Sequence, residues 1–130
     1  MKLPLITLLI LAFSLNASDQ TKAQQTRPLA MDVDVKEFTR LVKEKPGLLL
    51  DVRTKGEVAK GAIPNSVNHD IFSDNFEAEI DKIDKTKPVY VYCASGGRSG
   101  EAMEIMNKKG FKEVYNLAGG YGAWKKAQVK

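Results

Sequence analysis

The sequence predicts an α/β domain with a mainly parallel central sheet flanked by helices, three layers in all. Three observations predict it. Short apolar runs of strand length alternate with segments of helical periodicity. One run, Leu48 to Val52, is apolar apart from Asp51, the pattern of a parallel strand covered on both faces. The connections are long enough for right-handed helical crossovers between parallel strands.

The opening, MKLPLITLLILAFSLNAS, reads as a processing signal at residues 1–18. Lys2 supplies the positive end, Leu3 to Leu15 the apolar centre, and Asn16-Ala17-Ser18 small residues for cleavage. About 13 apolar-rich positions fall short of the roughly 20 needed to span a bilayer, so no stable membrane insertion is expected after processing. The chain is expected to be exported, most simply to a periplasm. Residues 19–30 read as a flexible polar lead-in, and residues 31–130 as one domain.

Asp34 with Glu37 forms a capping-box spacing before the apolar stripe Val35, Phe38, Leu41 and Val42, and Pro46-Gly47 stops that helix. Leu48 to Val52 is the next strand. Arg53 to Gly61 reads as a charged loop, and Ile63 to Asn68 as a short extended piece. Asp74 and Glu77 repeat the capping-box spacing ahead of Phe76, Ile80 and Ile83. Pro88 then launches the strand Val89 to Tyr92, rich in β-branched and aromatic residues. From Ser99, helical spacing runs through Ala102, Met103, Ile105 and Met106 until Gly110. A strand at Glu113 to Leu117 precedes a closing helix from about Gly122 to Lys126.

The stretch VYVYCASGGRSG, Val89 to Gly100, is where chemistry concentrates. Cys93 falls at the carboxyl end of a strand, facing a helix start, and ligands of open α/β sheets bind at such ends. The first turn of a helix offers unpaired amides and partial positive charge, which stabilise an anion such as a thiolate. Gly96 and Gly97, free to adopt positive φ, would let the backbone from Ala94 to Ser99 curl its amides toward the sulfur, and Arg98 adds a full charge. Such surroundings lower a cysteine pKa from about 8.5 into the range of roughly 3.5 to 7.5. A free cysteine is more often an inert buried thiol. The glycines, the arginine and the helix start point instead to a nucleophile. The chain has one cysteine, so no internal disulfide can form, and an exported lone thiol suggests a chemical role.

Cys93-Ala94-Ser95-Gly96-Gly97-Arg98-Ser99 resembles the active-site loop of the rhodanese sulfurtransferases, a cysteine, four intervening residues and an arginine followed by Ser or Ala. Asp51-Val52-Arg53, Glu57 and Gly61 to Asn68 resemble that family's upstream signature, and Asn116 to Trp124 its downstream Leu-x-Gly-Gly-x-x-x-Trp ending. Ala62 stands where many members have His, and Asn65 where Gly is common. The resemblance implies a rhodanese-like fold and a thiosulfate sulfurtransferase working through a Cys93 persulfide, with no other cofactor. It implies Cys93 and Arg98 as catalytic, and Ala94, Ser95, Gly96, Gly97 and Ser99 as the substrate-binding cradle. The partners implied are a small anionic sulfur donor and a cyanide or thiol acceptor; the chain itself is expected to be a monomer or weak dimer. Two alternatives stay open: a cysteine phosphatase or arsenate reductase-like enzyme, and a rhodanese-like binding module without chemistry. The phosphatases place five residues between Cys and Arg, against four here.

Other candidates read as structural. His69, the sole histidine, is expected to be a polar loop residue rather than a base for Cys93, since the thiolate can form without it. Arg53 and Glu57 are expected to pair with each other, and Tyr121 and Trp124 to form core or a wall of the site. Zinc would want several Cys or His and the chain has two such residues, so no metal is expected. The net charge of +4 becomes +3 once Lys2 is removed, without a basic block, and no nucleic acid is expected.

Overall fold

The computed structural model describes residues 29–129. The reading of residues 1–18 as a leader, and most of the lead-in, lies outside them.

Five parallel strands form one sheet in the order β1-β5-β4-β2-β3: β1 Leu29–Val33, β2 Leu48–Asp51, β3 Val67–Asn68, β4 Val89–Tyr92 and β5 Glu113–Leu117. Five helices connect and close them: α1 Val35–Glu44, α2 Lys55–Ala59, α3 Phe76–Asp81, α4 Gly97–Lys108 and α5 Gly120–Gln128. The three-layer α/β expectation holds, and the sheet is wholly parallel.

β4 is buried at every position, and its two faces feed two cores. Side chains alternate along a strand. Val89, Val91 and Cys93 therefore join Leu50, Phe76, Ile80, Ala102, Met106 and Phe111 under α3 and α4. Tyr90 and Tyr92 join Phe38, Leu49, Ile63, Tyr115 and Leu117 under α1 and α5. This alternation sends Cys93 to the α4 side. The chain leaves β2 toward β3 and leaves β4 toward β5, so connections diverge between β2 and β4. A crevice opens at the carboxyl ends of such a pair. Cys93 follows β4 and Arg53 follows β2, at that crevice.

Four local expectations change. Leu29–Val33 is a strand, two residues of it inside the expected lead-in. It forms because β5 gives it a parallel partner from Leu29↔Glu113 to Val33↔Leu117, although Leu29 and Met31 stay exposed. The expected loop after Arg53 contains α2, capped by Thr54, whose side-chain oxygen accepts the Glu57 amide at 3.2 Å. Asp34 caps α1 as expected, accepting the Glu37 amide at 2.8 Å, but Asp74 caps nothing: Asn75 holds the cap position of α3 without a side-chain bond. The closing helix is longer than expected because Gly119, at φ 79, starts it earlier.

Candidate functional site

Cys93 is 1% exposed, the floor of the site. Beyond it the chain makes one tight turn. Gly96 sits at φ 107, a left-handed value that a side chain would strain, and α4 starts at the next residue. The turn points the Gly96 amide at the Cys93 sulfur, 3.0 Å away. Ser99, in the first turn of the helix, donates its hydroxyl to the same sulfur at 3.3 Å. Burial pushes the Cys93 thiol up. The Ser99 hydroxyl and the amides of Ser99, Gly96 and Ser95 outweigh that burial and leave its pKa below the ordinary value.

The structure thus brings Ser95, Gly96 and Ser99 to the sulfur. Ala94 and Gly97 serve otherwise. Ala94 lends its carbonyl to the Gly122 amide at 3.2 Å, and Gly97 is helical, so only one of the two glycines needs positive φ. The loop is clamped from behind by the second glycine pair. Gly120, at φ 59, lies so close that a Cβ there would stand 2.6 Å from the Cys93 and Ala94 carbonyls, and the Tyr121 amide donates to the Cys93 carbonyl at 2.8 Å. Asn116 on β5 ties the turn to the sheet edge, donating to the Gly96 carbonyl at 3.1 Å and to Asp32 at 2.8 Å.

Arg98 is not free. Its two terminal nitrogens donate to both Glu57 oxygens at 2.9 and 2.8 Å. The carboxylate raises the Arg98 pKa, and the guanidinium holds Glu57 below the usual carboxylate range. The expected Arg53–Glu57 pair is therefore corrected. Arg53 turns inward to Asp51, with Nη2 to Oδ2 at 2.7 Å and Nη2 to the Gly61 carbonyl at 2.8 Å. It also packs over the Tyr121 ring at 4.3 Å, and Tyr121 stacks on Trp124. Both Asp51 and Arg53 are buried, so a pair two positions apart across β2's end satisfies two charges that water cannot reach. Glu57, on α2, is left for the loop arginine.

Tyr121 and Trp124 pack partly buried against the core under α1 and α5, as expected. His69 lies beside Glu79, 4.0 Å away, and its amide bonds the Asp51 carbonyl. Asn65 adopts φ 68, which explains why that position suits Gly; Asn is among the side chains that tolerate it. Sequence reasoning missed Glu57 as Arg98's partner, Asn116 as a brace, and Phe72, whose exposed ring lies 5.7 Å from the Arg98 guanidinium. The single signal for the Glu57 contact was its place in the upstream motif.

Residues 34–127 match the family model for the rhodanese-like domain. The chain belongs to the rhodanese-like family. Its rhodanese-like domain is 35% identical over 89 residues to a thiosulfate sulfurtransferase, GlpE, of Coxiella burnetii, covering 68% of this chain and 81% of that one. It is 38% identical, again over 89 residues, to a tRNA uridine(34) hydroxylase of Pelagibacter ubique, covering 68% of this chain but only 30% of that longer protein. Among solved structures, a rhodanese-like domain protein from Staphylococcus aureus superposes with a TM-score of 0.64 at 30% identity, covering 72% of this chain and 90% of that one.

Proposed function

We propose that this rhodanese-like protein is a sulfurtransferase that moves a sulfane sulfur from thiosulfate or a similar donor to cyanide or a thiol through a persulfide on Cys93. The observation that carries the reading is the cradle itself: a buried sulfur with the Gly96 amide at 3.0 Å and the Ser99 hydroxyl at 3.3 Å, its pKa lowered against the trend of burial. The thiolate attacks the outer sulfur of the donor. With thiosulfate the sulfur–sulfur bond breaks, its electron pair leaves on sulfite, and Cys93 keeps a persulfide anion. An acceptor nucleophile then takes the terminal sulfur and returns the thiolate. Splitting the transfer over a covalent carrier replaces one difficult encounter by two easier ones. The Ser95, Gly96 and Ser99 donors hold the anion at rest and, with small adjustment, the anionic persulfide.

The partners in this reading are a small sulfur donor and a cyanide or thiol acceptor. The leader pattern at residues 1–18 supports an exported enzyme. The phosphoryl-transfer alternative is weakened by the loop's length, since four residues separate Cys93 from Arg98 where the cysteine phosphatases place five. The test is turnover of thiosulfate with cyanide, against turnover of a phosphatase substrate, with Cys93→Ala as control. Sulfur transfer that Cys93→Ala removes supports the reading. Phosphatase turnover without sulfur transfer overturns it.

A further inference from the structure

The loop that carries Cys93 has its positive charge already paired. Among residues 93–99, Arg98 carries the only positive charge, and Glu57 neutralises it in a two-point pair. Glu57 is itself fixed, since its amide caps onto Thr54 and the Thr54 hydroxyl reaches its carboxylate at 3.4 Å. Near Arg98 stands the turn of Asp70 and Phe72, in which the Phe72 ring lies 5.7 Å from the guanidinium and the Asp70 carboxylate accepts the Phe72 amide at 2.8 Å. Asp70 and the Cys93 sulfur both add to the negative surroundings of Arg98. Asp70 also lines a cavity of about 240 Å³ together with Lys55. Arg98 thus has two carboxylates around it and, once the nucleophile forms, a thiolate as well.

We propose that Glu57 sets donor selectivity: by holding Arg98 it withdraws that charge from the incoming donor, so that sulfane donors bearing at most one negative charge, of the thiosulfonate or persulfide class, are used in preference to dianionic thiosulfate. This rests on the sulfurtransferase reading and narrows its donor. With an alkanethiosulfonate, the Cys93 sulfur bonds the donor's outer sulfur, the donor's sulfur–sulfur bond breaks, and its electron pair leaves on the sulfinate. A cysteine persulfide anion remains, and no external oxidant or reductant is needed. Thiosulfate follows the same course but brings one more negative charge past Glu57 and Asp70. Glu57 is a specificity residue here; it need not touch the reacting sulfur.

The test uses the full chain and two pairs of probes matched in shape and differing by one charge. The first pair is iodoacetate and iodoacetamide, whose alkylation rates at Cys93 are compared above the thiol's titration. Replacing Glu57→Gln keeps a hydrogen-bond acceptor for Arg98 and removes one negative charge, so the iodoacetate-to-iodoacetamide ratio should rise roughly three- to tenfold. Asp70→Asn should move it the same way by less. The second pair is thiosulfate and methanethiosulfonate, for which Glu57→Gln should raise the relative kcat/KM for thiosulfate by a similar factor. An alkylation ratio unchanged or lowered in Glu57→Gln overturns the proposal whatever Asp70→Asn does, and if Glu57→Gln fails to fold, Glu57→Ala decides by the same ratio. A shifted alkylation ratio with an unshifted donor ratio also overturns the selectivity claim. If the alkylation ratio shifts and neither donor loads sulfur onto Cys93 in the wild type, the charge argument stands and the sulfurtransferase reading falls.

Discussion

Ser99→Ala removes one of the donors that keep Cys93 ionised, and the size of its effect follows from the site. Ser99 is fully buried, so no water replaces the lost hydroxyl. A hydrogen bond to a charged group contributes about 1.5 to 3 kcal/mol. The Ser99 bond, at 3.3 Å, is longer than that of the Gly96 amide at 3.0 Å, which argues for the lower end, about 1.5 kcal/mol. That corresponds to roughly one pKa unit. The sign is upward, because the lost donor favoured the thiolate and the burial that opposes it remains. The assay is the pH dependence of Cys93 alkylation by iodoacetamide. Below both midpoints the variant should react about tenfold more slowly, because thiolate fraction there follows the pKa directly, and above both the rates should converge. A midpoint that stays put or moves down refutes the hydroxyl as a donor to the sulfur and leaves the amides to account for the lowered pKa alone.

Inserting one glycine between Gly96 and Gly97 should displace the Gly96 amide from the sulfur, and since misplacement by about 1 Å can cost roughly a hundredfold, thiosulfate turnover should fall by about that factor while the melting temperature changes little. Full activity in a folded insertion variant would show that loop length does not determine the chemistry. Gly120→Ala places a Cβ 2.6 Å from the Cys93 and Ala94 carbonyls at φ 59, so denaturant unfolding should report a loss of about 2 kcal/mol or more and the Cys93 alkylation profile should shift; an unaltered stability and profile would mean the two loops are not in the contact described. Arg53→Lys should destabilise the fold by about 2 to 3 kcal/mol in the same measurement, because a point charge cannot bridge Asp51 and the Gly61 carbonyl together, and a cost near zero would remove Arg53 as the brace beneath the site.

How far these features could be read from the sequence differs by element. β4 and β5 were legible to the residue at Val89–Tyr92 and Glu113–Leu117, because buried strands carry their own apolar and β-branched pattern. β1 was not legible: Leu29–Val33 has Asp32 within it and two exposed apolar side chains, and its strand character comes from pairing with β5, a long-range contact with no local signature. α2 was hidden for a related reason. It is five residues long, buries none of them, and depends on the Thr54 cap more than on any stripe. At the site, Cys93 and Gly96 were visible in the order of residues, while the helix expected from Ser99 starts two residues earlier, at Gly97. The pairing of charges was not. Spacing along the chain suggested Arg53 with Glu57, whereas burial decided it: Arg53 is enclosed with Asp51 between β2 and the Tyr121 ring, and Glu57 is carried by α2 to Arg98, 41 residues away. Asn116 was equally silent, since its role comes from a neighbouring strand placing its amide against Gly96.

The central claim is that Cys93 carries the sulfur. The most direct measurement is the intact mass of the purified protein after thiosulfate or methanethiosulfonate is added and removed without reductant, followed by cyanide. The account predicts a gain equal to one sulfur atom, mapped to Cys93, absent in Cys93→Ser and lost on adding cyanide as thiocyanate appears. Turnover of donor and acceptor with no such gain at any time, or with the same gain in Cys93→Ser, would contradict it.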